Sequence, residues 1–296
     1  MQPVLSIQNV SKSYGPIQAL KGVSFDVPEG SVFGVLGPNG SGKTTLLGIV
    51  LDILIANGGT YSWFGGMEPH AARRQIGSLL ETPNFYHYLS AYNNLEITAA
   101  IKQRGIDDRM RVLQQVGLLE RKDSKFQTYS LGMKQRLAIG AALLGNPKVL
   151  VLDEPTNGLD PAGIAEIREL IRALNKQGIT ILIASHLLDE VEKVCTHVAI
   201  LKRGTLLVNG PVGQALSHDD QVEVRAADMT ALQQALGELP GIRSMRLNDG
   251  TLQLTCDERI GTKDVNEFCI GRGIVLTHLL LRKKSLETKF MELTNN

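Results

Sequence analysis

The sequence predicts an α/β domain built on a parallel sheet, followed by a small α+β domain. Three observations carry this reading. The runs "SVFGVLG" from Ser31, "KVLVLDE" from Lys148 and "ITILIAS" from Ile179 are β-rich without polar alternation, as strands covered on both faces are. Segments with helical spacing, 90–104 and 162–177, lie between them. At "LSHDD", residues 216–220, the pattern changes to the order β-α-β-β-α-β.

Length and composition agree. A chain of 296 residues suits one large and one small domain. Hydrophobic residues make up 43% and charged residues 21%, with 30 glycines, which describes a globular chain rich in tight turns rather than a disordered one. Its 31 basic and 30 acidic residues leave a net charge of +1, so no chain-wide electrostatic footprint points to nucleic acid or an acidic membrane. Local surfaces remain free to be charged. The three cysteines, Cys195, Cys256 and Cys269, contain no C-x-x-C pair, which argues against zinc and disulfides and for a reduced, cytoplasmic setting. The start "MQPVLSIQNV" lacks a basic region followed by an apolar run, and no segment approaches the ~20 apolar residues of a bilayer span. The longest candidate, "LLGIVLDILIAN" from Leu46, is short and contains Asp52. The sequence reads as soluble, reaching any membrane through a partner.

In chain order, "VLSIQNV" and "GVSFDVP" alternate apolar and polar residues and predict an antiparallel β flank. The strand 32–36 leads into "GPNGSGKTT", and "KTTLLGIVLDIL" continues with helical spacing. Beyond the boundary the pattern predicts strand 221–226, helix 229–237, strands 242–247 and 250–255, helix 262–271 and strand 274–281. That order matches a ferredoxin-like α+β domain over 217–296, closed by a helix near "SLETKFMEL" from Ser285. The first domain covers 1–216. The second offers no catalytic cluster.

The chemistry concentrates in the first domain. "GPNGSGKTT" satisfies G-x-x-x-x-G-K-[ST] between a strand and a helix. Gly37, Pro38, Asn39, Gly40, Ser41, Gly42, Lys43, Thr44 and Thr45 would curl their backbone N–H groups around phosphates. Lys43 offers a point charge to the β- and γ-phosphates, and the Thr44 hydroxyl a ligand to Mg²⁺. The competing reading, a glycine-rich structural turn, is disfavoured by the strand-loop-helix context.

"VLVLDEP" ends a strand in Asp153 and Glu154 at the sheet's carboxyl edge, where open α/β sheets bind ligands. Asp153 suits the magnesium shell, and Glu154 suits orienting or deprotonating the attacking water. A solvated acidic strand end is the alternative. "ASHLLDE" puts Ser185 and His186 at the same edge, where the histidine could sense a γ-phosphate or simply follow a helix cap. "YSLGMKQR" places Ser130 and Gly132 at the mouth of another helix, either a second anion site or a plain capped helix.

Taken in order, "GPNGSGKTT", "YSLGMKQR", "VLVLDEPTNGLDP" and "ASH" resemble the ATP-binding subunit of an ATP-binding cassette (ABC) transporter over roughly residues 4–216. The resemblance implies a P-loop NTPase fold: an ABC-type ATPase core with an antiparallel β subdomain and a helical signature subdomain at about 82–146. It implies ATP and Mg²⁺ as cofactors and a second copy arranged head-to-tail. In the family the signature L-S-G-G-Q meets the γ-phosphate held by the other subunit. Ser130 and Gly132 match it, while Tyr129, Leu131 and Met133 depart from it. Tyr14 in "SKSYG" falls where an aromatic stacks on adenine, and Gly158, Leu159 and Asp160 match the loop that crosses the dimer interface.

Glu81, in "IGSLLETP", stands where the family has a glutamine linking magnesium and water to the permease; a glutamate can still ligate Mg²⁺. This variant signature and the C-terminal extension look like the subfamily serving small two-component exporters of peptide antibiotics and drugs. The implied partner is a separately encoded integral membrane permease, with this chain cytoplasmic and peripheral on the inner face of the membrane. Phe85, Tyr86 and Tyr88 in "NFYHYLSAYNNL" either form its docking surface or pack locally. No nucleic acid is expected. Two rivals remain: a soluble ABC ATPase acting on a macromolecular complex, which usually carries two cassettes or a coiled-coil insertion, and a P-loop small-molecule kinase, which needs an acceptor pocket and lid.

Overall fold

The computed structural model describes residues 3–80, 84–213, 221–257 and 260–282, in two compact units, Met1–Gly210 and Pro211–Asn296. Glu81, the boundary stretch 216–220 and the closing helix expected near Ser285 lie outside the described residues.

The first unit opens with β1 (Pro3–Tyr14) and β2 (Ile17–Pro28), an antiparallel pair whose final register partners are Tyr14 and Ile17. Their alternation turns Leu5, Ile7, Phe25 and Val27 into the core. Next come β3 (Val32–Leu36), buried throughout, and α1 (Lys43–Val50). The helical spacing in the sequence runs on to Leu54, but the helix stops at Val50. Asp52 adopts a left-handed backbone (φ 60°), and the N–H groups of Ile53 and Leu54 both donate to Gly48 O, closing the helix end. Tyr61 and Arg73 hold the Asp52 carboxylate there.

β4 (Gly58–Trp63) pairs antiparallel with β1 and completes a sheet in the order β2-β1-β4. After α2 (Pro69–Arg73) and β5 (Ile76–Leu79) come α3 (Ala91–Lys102), α4 (Arg109–Gln115) and α5 (Leu131–Leu143). Both α3 and α5 start on serine caps: Ser90 Oγ accepts from Asn93 N at 3.2 Å, and Ser130 Oγ from Met133 N at 3.3 Å. The unit ends with β6 (Val149–Asp153), α6 (Pro161–Lys176), β7 (Thr180–Ser185), α7 (Leu188–Val194), β8 (His197–Lys202) and β9 (Thr205–Pro211). Asp160 caps α6, Pro161 occupies its first turn, and Ile167, Leu170, Ile171 and Leu174 form its buried stripe.

These strands form a sheet in the order β5-β6-β7-β3-β8-β9, parallel from β5 through β8. The three apolar runs of the sequence are β3, β6 and β7 at its centre. The sequence pattern does not announce β5, β8 and β9: β5 has four residues, and β8 begins and ends in the polar His197 and Lys202. Phe25 stacks on Phe33 with ring centres 5.2 Å apart, within a core cluster that joins β1 and β2 to α1 and to the parallel strands. Burial of each such ring contributes roughly 1.5–3 kcal/mol. The antiparallel flank is thereby fastened to the parallel sheet and to α1.

The second unit runs β10 (Gln221–Ala226), α8 (Met229–Leu236), β11 (Ile242–Asn248), β12 (Thr251–Cys256), α9 (Thr262–Gly271) and β13 (Leu276–Arg282). Its strands lie in the order β11-β12-β10-β13, each neighbouring pair antiparallel. Val222, Val224, Leu252 and Leu254 pack with Leu232 and Leu236 of α8 and Val265 and Cys269 of α9. Among the described residues no helix is long and apolar enough to cross a membrane.

Candidate active site

The site grows from the end of β3, where the chain leaves the sheet at Leu36 and re-enters a helix at Lys43. Gly42 takes φ 108°, and a Cβ there would stand 2.6 Å from Ala19 O, so the turn into α1 excludes any side chain. Lys43 folds back over this loop: its Nζ donates to Gly37 O at 2.8 Å and Pro38 O at 3.4 Å and lies 3.5 Å from Glu154 Oε1. Only 6% of its side chain is exposed, so its charge is focused into the loop. Ser41 Oγ is buried with no hydrogen-bond partner among the described residues. A buried hydroxyl, a lysine and the N-terminus of α1 together fit an anion of several oxygens.

The neighbouring strands complete the edge. β6 and β7 run in parallel with Asp153 opposite Ala184, which brings the residues after both strands together. Thr44 Oγ1 donates to Asp153 Oδ2 at 2.9 Å. Glu154 carries a left-handed backbone (φ 47°), held by its N–H donating to Ala184 O at 2.9 Å. Its Oε2 lies 2.9 Å from His186 Nδ1 and accepts from His186 N at 3.4 Å. Lys43, Glu154 and His186 are thus one connected group.

An open cleft of about 730 Å³ fronts this group, within the range of small-molecule sites. It is lined by Tyr14, Pro16 and Ile17 at the turn between β1 and β2, by residues 39–45 and Glu154, and by Gln18, Lys21 and Arg203. Tyr14 is 46% exposed, with Lys12 Nζ 5.3 Å from its ring centre.

Ser130 and Gly132 do not line this cleft. Ser130 is exposed at the start of α5, and a Cβ at Gly132 would meet nothing nearer than Gly163 Cα at 4.0 Å. Gly163 belongs to the first turn of α6, where its N–H donates to the capping Asp160 Oδ1 at 2.8 Å, so the Gly132–Gly163 approach sets the first turns of α5 and α6 side by side. Tyr129 fills a core slot, its hydroxyl donating to Arg121 O at 2.6 Å, and burial pushes its phenol pKa up. The aromatic cluster divides. Phe85 packs edge-on against Phe126 at 5.1 Å, while Tyr86 and Tyr88 pair with each other in solvent.

A family model described as ABC transporter matches residues 20–157. The ABC transporter ATP-binding protein YdbJ of Bacillus subtilis is 37% identical, covering 99% of this chain and 96% of its own length. The bacitracin transport ATP-binding protein BcrA of Enterococcus faecalis is 32% identical, over 99% and 97%. This chain belongs to the ATP-binding subunits of ABC transporters. A solved dimeric ATP-binding cassette, MJ0796, in a post-hydrolysis state bound to ADP and Pi, superposes with a TM-score of 0.62 at 27% identity, over 70% of this chain and 98% of that one.

This ABC ATPase therefore binds ATP; Lys43, Thr44 and Glu154 line its cleft, and Asp153 and His186 stand behind them, bonded to Thr44 and Glu154. The cleft leaves Ser130, Gly132 and Asp160 on another surface. Gln18, Lys21 and Arg203 carry no motif that singles them out in the sequence. The first two sit on an alternating strand; the third sits in a turn whose only signal is the pair Arg203-Gly204 between two β patterns.

Proposed function

We propose that the subunit works as a head-to-tail pair around two Mg-ATP and powers a separately encoded membrane permease from the cytoplasmic face of the cell membrane. The observation that carries the pairing is the separation of Ser130 and Gly132 from their own Lys43 cleft, although both stand at a helix start suited to phosphate. Each cleft then needs the partner's helix start, and Asp160, beside it, belongs to the same contact.

Within the cleft, residues 37–45 cradle the phosphates and Lys43 neutralises them. Tyr14 stacks on adenine. Glu154 orients the attacking water and takes its proton, and His186 fixes the carboxylate from the next strand. Mg²⁺, when bound, neutralises charge between the phosphates. Thr44 Oγ1 and Asp153 would hold it, with Glu81 a third candidate. Among the described residues no group of three acidic, histidine or cysteine side chains forms a metal cage, and a magnesium held largely by phosphates needs none.

The BcrA relative, matched along nearly its whole length, supports an exporter of drugs or peptide antibiotics as the machine served. Exposed Tyr86 and Tyr88 suit a permease contact. The order β-α-β-β-α-β with strands β11-β12-β10-β13 supports a ferredoxin-like accessory domain over 217–296, following a cassette of 1–216.

Complementation tests the pairing. Lys43→Ala disables the loop and Gly132→Asp sets a negative charge against phosphate, so each homodimer is expected to be inactive. In a heterodimer one composite site carries both lesions and the other carries none, so random exchange should restore up to ~25% of parental sites. Exchanging mixtures that recover no turnover and trap no ATP would reject the shared site.

A further inference from the structure

β8 and β9 are joined by two residues, Arg203 (φ 48°) and Gly204 (φ 80°), the left-handed pair of a type I′ hairpin turn. The first position of such a turn favours asparagine, aspartate or glycine, and arginine is sterically disfavoured there. The turn is anchored on two sides. Gly204 N donates to Ser41 O at 2.9 Å, and Lys21 N donates to Gly204 O at 2.8 Å. A Cβ at Gly204 would lie 2.6 Å from Ala19 O, so the turn is pressed against β2.

Arg203 is consequently carried on a braced tip that touches the phosphate loop at Ser41 and β2 at Ala19, and it lines the ATP cleft. Its side chain is exposed and has neither an ion-pair nor a hydrogen-bond partner among the described residues. Lys43, by contrast, is already engaged with Gly37 O and Glu154.

We propose that Arg203 is a nucleotide-binding residue that grips the α-phosphate of ATP. The aromatic and apolar end of the cleft suits the base, and residues 39–45 suit the β- and γ-phosphates. The turn that carries Arg203 is bonded to Ser41 of the phosphate loop on one side and to Lys21 of β2 on the other. It therefore bridges the loop and the flank that carries Tyr14 and Ile17, and the part of a nucleotide that links β-phosphate to base is ribose and α-phosphate. Of these only the phosphate is charged, and a planar guanidinium matches phosphate oxygens in a way lysine does not. This explains an arginine where turn geometry prefers a smaller residue.

The inference rests on the cleft being the ATP site, and one set of titrations separates the two. Calorimetry on the full chain would compare ADP, ATP, GDP and GTP binding to the parent, Arg203→Asn and Arg203→Lys, with Lys43→Ala as a control. Asparagine suits the left-handed backbone, so the ligand-free melting temperature of Arg203→Asn should equal or exceed that of the parent. Its affinity for ADP and ATP should fall by the same factor, on the order of tenfold, with the adenine-to-guanine preference unchanged. Arg203→Lys should recover part of the loss, and the parent's affinity should fall more steeply with salt than that of Arg203→Asn. ADP affinity within about twofold of the parent would overturn the proposal, as would a loss confined to ATP or a changed ADP-to-GDP ratio. Were Lys43→Ala to bind as tightly as the parent, the ATP reading of the cleft itself would fail.

Discussion

Glu154 is held in a backbone conformation that costs a non-glycine residue on the order of 1–3 kcal/mol, and the structure over-determines it. Its N–H is tied to Ala184, and its two carboxylate oxygens are divided between Lys43 and His186. Such geometry aims one carboxylate at one place. Glu154→Gln keeps the shape and removes the proton acceptor, so ATP binding should persist while turnover falls by about 10²–10⁴-fold. Parallel measurement of ATP affinity and phosphate release checks this; a variant with parental turnover would remove Glu154 from the chemistry. Lys43, Asp153 and Glu154 are legible in the sequence because each belongs to a motif with a fixed place in a strand-loop-helix unit. Arg203 is not, because what distinguishes it is a turn geometry and the bond by which the next residue, Gly204, anchors that turn on the distant Ser41.

At the scale of elements, Lys102 joins two helices. From the last turn of α3 its Nζ donates to Ala141 O at 2.6 Å and Ala142 O at 3.3 Å, at the end of α5. Burial, with a smaller push from Arg104, lowers its pKa from 10.5 to about 8. The unfolded chain keeps that proton to a higher pH than the folded one, so between about 8 and 10.5 the unfolded state binds more protons and stability rises with pH. Below that window the native state bears the cost of a buried charge. Burial holds the thiols of Cys195, Cys256 and Cys269 above their ordinary value of 9.0, which lowers stability toward pH 9.5 in parent and variant alike. Urea unfolding at pH 7.5 and 9.5 should therefore show a change more favourable in the parent than in Lys102→Met; equal changes would refute the linkage. Tyr129 does not interfere, since its raised pKa costs stability only above the ordinary phenol value of 10.0. The helices themselves are legible from spacing and serine caps. The early end of α1 is not, because a left-handed aspartate braced by Tyr61 and Arg73 is tertiary information.

For the whole molecule, the division into two units has a direct test. Every cleft residue precedes Thr205, and the cluster that packs the flank against the sheet reaches no further than Leu206. A chain of residues 1–216 should fold cooperatively and bind ATP with near-parental affinity; insolubility or lost binding in calorimetry would show that the cassette depends on the second unit. The broad architecture is legible because buried parallel strands announce themselves by composition, while strand order and the outer β5, β8 and β9 depend on neighbours far along the chain. One contact carries a larger meaning. Where α5 and α6 begin, Gly132 faces Gly163 with no side chain between them, and Asp160, which caps α6, lies six positions after Glu154. A bare joint of this kind has little slack. If each α5 start rests on the neighbouring subunit's phosphates, a displacement there would be delivered along a short, stiff stretch to the carboxylate serving the other nucleotide, so the pair would keep time with each other instead of firing independently.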